Sequence, residues 1–337
     1  MKKLATLLTM ATFVIGLAAV AQAAAPLKLV AKYNIPAKVK GRFDHLGVDL
    51  PRNRLFLAAE SAHEVLVLNL RNGRYLRAIA PIGIPHAIFC RDDVNRIYVT
   101  DGGAGEVRIY NATTFRQIGA VKLKVDTDSI GYDPATHDLY VVNGGGDAHQ
   151  SFSMLSVVDT TADKKIADIK IEGKTLEAMA LAHSSPLLYI NNPSQSLVDV
   201  INRRTRAVVA TWPVTMGRRN VAMALDPSTH RLFVACRSGA LIVFDSQTGK
   251  QLQSIPIGTG VDDLIFDPES RRIYASCASG SIAVYHEDSP NHYTLLGDVA
   301  SAAGGKNEVL VPRLKRLYTT IPPRADAPGK VYVYAVQ

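Results

Sequence analysis

Cysteine is scarce in this chain: Cys90, Cys236 and Cys277 are the only three among 337 residues. That excludes a disulfide-stapled miniprotein, and their placing gives no C-x-x-C pair for a redox or zinc site and no C-x-x-C-H for covalently held c-type haem. All three are expected to be buried small apolar residues. G-x-S-x-G, a P-loop and H-E-x-x-H are also missing, so a hydrolase nucleophile elbow, a phosphate cradle and a zincin helix are not encoded. A single tryptophan, Trp212, leaves little for a platform that stacks single-stranded bases. Beyond the N-terminus no apolar run is long enough for a membrane-spanning helix, which excludes a polytopic membrane protein. Disorder is excluded in turn by a content of 47% hydrophobic and 20% charged residues. Length alone suggests about two domains, a prior that internal repeats override.

What is present begins with a targeting pattern. Met1-Lys2-Lys3 is basic, Leu4 to Val20 is almost wholly apolar, and Ala21-Gln22-Ala23 is a small-x-small cleavage site. Together they predict a secretory signal peptide over 1–23, cleaved after Ala23, and a periplasmic or secreted mature chain over 24–337. No cysteine follows the apolar run closely, so a lipoprotein is not expected, and the mature chain has no transmembrane segment. The formal net charge of +8 falls to about +6 once Lys2 and Lys3 are removed.

The rest of the chain is a repeat. A polar residue, Leu or Ile, an aromatic and then small or β-branched residues recur as Arg54-Leu55-Phe56, Arg96-Ile97-Tyr98, Asp138-Leu139-Tyr140, Leu187-Leu188-Tyr189, Arg231-Leu232-Phe233, Arg272-Ile273-Tyr274 and Arg316-Leu317-Tyr318. The aromatics are 42, 42, 49, 44, 41 and 44 residues apart. Each unit opens on an apolar stretch such as Leu46-Gly47-Val48. A turn follows, often Asp-Pro, as at Asp133-Pro134, Asp226-Pro227 and Asp267-Pro268; the Asp accepts backbone N–H groups and the Pro pre-sets φ. The aromatic strand comes next, then a third, alternating strand such as Leu241-Ile242-Val243-Phe244, then a fourth such as Gln251 to Ile257. Four short strands per unit, with no helical period between them, predict an all-β fold: a seven-bladed β-propeller of four-stranded antiparallel blades. The last unit ends after its third strand. Leu27 to Ile35 reads as an orphan fourth strand, so the N-terminal strand is expected to close the ring as part of one domain.

Tyr98-Val99-Thr100-Asp101, Tyr140-Val141-Val142-Asn143 and Tyr189-Ile190-Asn191-Asn192 resemble the tetrapeptide of the YVTN β-propeller repeat family, and Ser254-Ile255-Pro256-Ile257-Gly258 is similar to its blade-ending stretch. The resemblance spans the mature chain and implies a YncE-like exported propeller. Family members include binding proteins, some reported to bind nucleic acid, and some more distant seven-bladed relatives are lactonases or lyases. The pattern departs from the family's at its fourth position, which is Ala59, Cys236, Cys277 and Ile321 in four blades.

Propeller ligands usually enter where the loops leading into each first strand meet the central channel. Some twelve residues before each aromatic stand Asp44, His86, Asp128, Glu177, Val221 beside Asn220, Asp262 and, with a one-residue slip, Asn307. His45, Arg219, Asp263 and Glu308 are their polar neighbours. Ligand-binding candidates are therefore Asp44, His45, His86, Asp128, Glu177, Arg219, Asn220, Asp262 and Asp263. Strand starts do not need an acid or a histidine, so a polar, mostly acidic mouth is the sharpest functional sign. Loops on the same face add His63 and His149. A divalent metal is one candidate cofactor, with His45, His63, His86, His149, Asp44 and Asp128 as candidate ligands, since imidazole with carboxylate suits first-row cations. His137 and His230 read as solvated turn residues on the opposite face. Basic clusters at Arg203-Arg204-Thr205-Arg206, Arg271-Arg272 and Arg313-Leu314-Lys315-Arg316 also fall there and could attract a polyanion. The expected function is binding of a small ligand or protein partner at the polar mouth by a monomer. A metal-assisted lyase or lactonase and a nucleic-acid binder on the basic face are the alternatives.

Overall fold

A computed structural model describes residues 25–337; the expected signal peptide lies outside the described residues. The repeat units fold into seven separate four-stranded antiparallel sheets. Blade 1 comprises Leu46–Asp49, Arg54–Ala59, Glu64–Asn69 and Tyr75–Ile79. Blade 2 runs from Pro85–Arg91 to Gln117–Lys122, blade 3 from Ile130–Asp133 to Lys164–Glu172, and blade 4 from Met179–Leu181 to Ala207–Pro213. Blade 5 runs from Asn220–Asp226 to Gln251–Pro256 and blade 6 from Val261–Asp267 to His292–Ala300. Blade 7 takes Glu308–Val311, Arg316–Ile321 and Lys330–Val336 from the C-terminus, and Leu27–Asn34 is its outer strand. Leu27 pairs with Val336 and Asn34 with Lys330, so the expected closure forms. Among the described residues no helix is long and apolar enough to cross a membrane.

The blades are held face to face by apolar clusters, each drawn from two neighbours. Phe56, Val65 and Val67 of blade 1 meet Ile97, Val99 and Tyr110 of blade 2. Tyr33, Tyr318 and Val333 of blade 7 meet Leu55, Leu57 and Leu68 of blade 1 across the closure. The seven repeat aromatics are each 3% exposed or less. Several carry a hydroxyl that reaches the next blade. Tyr98 donates to Thr160 O at 3.0 Å, Tyr189 to Ser246 O at 2.8 Å and Tyr318 to Leu70 O at 3.0 Å. Each acceptor follows the third strand of the following blade, so one side chain both fills a core and ties it to its neighbour. The third strands depart from the expected alternation: Val65, Leu66, Val67 and Leu68 are all fully buried. A central strand has a neighbouring blade on each face, so both faces are apolar.

The turns follow their sequence chemistry. Asp133 Oδ1 accepts Ala135 N–H at 3.0 Å and Asp226 Oδ1 accepts Ser228 N–H at 2.8 Å. First strands converge on the channel and crowd there. A Cβ on Gly47 would lie 2.8 Å from the Ile88 side chain and one on Gly131 2.6 Å from Leu181, which explains glycine at these equivalent places. Cys236 and Cys277 are buried as expected, whereas Cys90 is only partly so, and all three are free thiols.

Candidate functional site

The first strands start at one end of the channel and frame a cavity of about 470 Å³. The residue twelve before each aromatic lines it in all seven blades: Asp44, His86, Asp128, Glu177, Val221, Asp262 and Lys306. No slip is needed in blade 7. The expected Asn307 is instead fully buried one position deeper, where its Nδ2 reaches Asp262 Oδ2 at 3.2 Å and Asp44 Oδ1 at 3.4 Å. Blade 5 contributes Val221, because Asn220 turns away to donate to Asn191 Oδ1 at 2.9 Å and Leu197 O at 2.8 Å. Arg219 is exposed outside the cavity.

A second tier escaped the sequence reading. Glu60, Gly102 and Arg237 all stand four residues after a repeat aromatic and line the same cavity. The mouth is therefore not simply acidic. Arg237 and Lys306 both grip Asp262, one on each carboxylate oxygen. Burial works against the Asp262 charge, but Lys306 and Arg237 outweigh it and hold the carboxyl below its ordinary range.

Across the cavity lies a chain of alternating carboxylates and imidazoles. His86 Nδ1 is 2.6 Å from Asp44 Oδ2 and 3.9 Å from Asp128 Oδ1. His45 Nδ1 is 3.1 Å from Asp263 Oδ1, while its Nε2 is 3.7 Å from Asp44 Oδ1. Asp263 is oriented in turn by the Glu308 N–H at 2.9 Å. Burial opposes charge on both histidines, yet the flanking carboxylates win. The Asp44 hydrogen bond and the Asp128 charge lift His86 to about 9, and Asp263 and Asp44 lift His45 well above its ordinary value. Burial likewise disfavours the Asp44 charge, but His45, His86 and Lys306 hold that carboxyl well below the usual range.

Other carboxyls lack such partners. Burial and the Asp128 charge push Glu177 up to about 8 and Asp126 to about 6. Burial also raises Asp128, whose Oδ1 is inaccessible to solvent and has no hydrogen-bond partner. Below the mouth, a smaller space of about 210 Å³ is lined by His45, Asp263 and the otherwise apolar next layer, Leu46, Ile88, Ile130 and Met179. Glu308 is the acid in that layer. Burial pushes it up to about 8, although Ser276 Oγ donates to it at 2.7 Å.

Two predicted metal candidates stand apart from this cluster. His63 is exposed with Nδ1 on Gly83 O, and His149 is exposed in the Gly144–Gln150 loop. His137 and His230 are exposed in their turns, as expected. The basic clusters are partly consumed by ion pairs. Arg203 is half-buried against Asp133 and also donates to Ala182 O and Ser185 O, and Arg271 pairs with Glu287 at 3.6 Å.

No family model matches the chain, and no curated protein does. Among solved structures it is similar to a chain of the "Crystal Structure of Mitotic Checkpoint Complex", with a TM-score of 0.74 and 16% identity over 100% of this chain and 99% of that one. At that identity the likeness is one of fold: both are propellers, and nothing of the partner set in that complex carries over.

Proposed function

We propose that the chain is an exported, periplasmic or secreted, YVTN-type propeller whose mature part over 24–337 is one domain that binds a small polar ligand in the channel-mouth cavity. A propeller is a suitable scaffold because seven rigid blades aim seven side chains at one axis. The observation that carries this reading is the ring of polar side chains lining the cavity, where Glu177 is raised by burial and the Asp128 charge and Asp128 Oδ1 is buried without a hydrogen-bond partner. Such groups cost stability unless something else rewards them. Binding is favoured over base catalysis because the carboxylates beside His45 and His86 outweigh burial and shift both imidazoles toward the protonated form. In that form they donate hydrogen bonds and do not abstract protons.

The test is a melting-temperature screen in chelator against small amines, carboxylates and sugars. At least one class should raise the wild-type midpoint and leave an Asp44→Asn/His86→Gln variant unmoved, with the variant's circular dichroism unchanged. If no class shifts the wild type, or both proteins shift alike, the cavity is not the binding site. Export is checked by the mass of the chain recovered outside the cytoplasm, which should begin at Ala24.

A further inference from the structure

We propose that the ligand set at the channel mouth anchors one divalent first-row cation, such as Zn²⁺ or Mn²⁺, through Asp44, His45 and Asp128. The inference rests on reading the mouth as the binding site and goes on to name what is bound there. A ligand atom from each of the three residues lies within 4.8 Å of the others. Ligands 2.0–2.2 Å from a shared ion stand roughly 3–4 Å apart, so a small inward movement closes the set.

The surroundings of these residues are what a metal centre needs. A ligating imidazole is ordinarily oriented by a carboxylate on its other nitrogen. His45 has that arrangement: Asp263 holds Nδ1 at 3.1 Å, and the Glu308 N–H holds Asp263. Nε2 is thereby directed toward Asp44 Oδ1 at 3.7 Å, too far for a hydrogen bond and wide enough for an ion between or beside them. Asp44 is likewise supported from behind, with His86 on Oδ2 at 2.6 Å. Asp128 presents an oxygen shielded from solvent that nothing in the protein satisfies. The fourth nearby acid, Asp262, is already neutralised by Arg237 and Lys306 and is left out of the set. One imidazole with two carboxylates favours borderline cations over Ca²⁺ or Mg²⁺, which prefer oxygen alone. Binding would displace the Nε2 proton of His45, and Glu177, also at the cavity wall, would be free to contact whatever the ion holds.

The test is calorimetric titration of chelator-stripped, untagged protein with Zn²⁺, Mn²⁺ and Ca²⁺. One Zn²⁺ or Mn²⁺ should bind per chain at least tenfold more tightly than Ca²⁺. Asp44→Asn, His45→Gln and Asp128→Asn should each weaken it at least tenfold. Asp263→Asn, a positioning residue, should cost roughly 10- to 100-fold. His63→Gln and His149→Gln should change nothing. No site tighter than millimolar in the wild type, or titrations unchanged by His45→Gln and Asp128→Asn, overturns the proposal. If the variants do not fold, the wild type alone decides: gel-filtered from Zn²⁺ it should retain one ion per chain, and clearly less sinks the idea. The small-molecule screen is run in chelator, so success there with failure here removes the ion and keeps the binding cavity. Failure there with success here keeps the mouth as a binding site for the ion and removes the small organic ligand.

Discussion

Glu177 shows how a single mouth residue records its burden in stability. Its carboxyl, pushed up to about 8 by burial and Asp128, holds a proton in the folded state that the unfolded chain releases near the ordinary value of about 4.3. The native state therefore binds more protons between those limits, and stability drains away as pH rises from roughly 4.3 to 8. Glu177→Gln removes the titration and keeps the shape. The variant should match the wild type at pH 4 and exceed it above pH 8, by on the order of 2 kcal/mol after allowance for solvent in the cavity. Denaturant unfolding at the two pH values checks it, and equal stability at both would show that Glu177 is solvated. This position was legible in the sequence, since a period of twelve before the aromatic finds it. Arg237 and Glu60 were not, because they occupy the loop after the second strand, where the fourth tetrapeptide residue draws attention and the next residue does not. Lys306 was missed for a physical reason as well: a buried Asn307 looked the better polar match, but that amide serves Asp44 and Asp262 from below.

At the scale of the blade, the repeat aromatics divide by what their hydroxyls find. The Tyr189 hydroxyl is bonded to Ser246 O at 2.8 Å. The Tyr274 hydroxyl is buried with no hydrogen-bond partner, and the corresponding carbonyl after the third strand of blade 7, Gln337 O, accepts Arg272 Nη1 at 2.7 Å instead. Removing a made hydrogen bond leaves its acceptor unsatisfied and costs about 1 kcal/mol, whereas removing an unmade one relieves a desolvated group. Tyr189→Phe should thus destabilise by about 1 kcal/mol, and Tyr274→Phe should be neutral or mildly stabilising. Paired denaturant midpoints decide; a similar loss in both would mean that Tyr274 is bonded after all. Strand identity and order were readable here because the turn chemistry is local. The continuous burial of the third strands was not, since it depends on a second blade that no single repeat reveals.

For the whole molecule the decisive element is the one taken from the far end of the chain. Leu27–Asn34 completes blade 7, and around it Leu27, Tyr33 and Ile35 are buried to 2%, 6% and 2% exposure. Tyr33 also donates from its hydroxyl to Leu70 O at 3.1 Å, the carbonyl that Tyr318 uses from the other side. The strand thus links blade 7 to blade 1 as well as filling blade 7. Burying three such side chains contributes roughly 1.5–3 kcal/mol each. The sum is comparable with the whole stability of an ordinary domain, about 5–15 kcal/mol. Losing the strand would also bare the edge of Lys330–Val336, a template for pairing with another chain. A chain starting at Pro36 should therefore unfold at a markedly lower denaturant concentration than one starting at Ala24, and should self-associate. Adding the peptide 24–35 in excess should restore part of the midpoint by mass action. An unchanged midpoint in the shortened chain would mean that six full blades and three strands hold the ring by themselves.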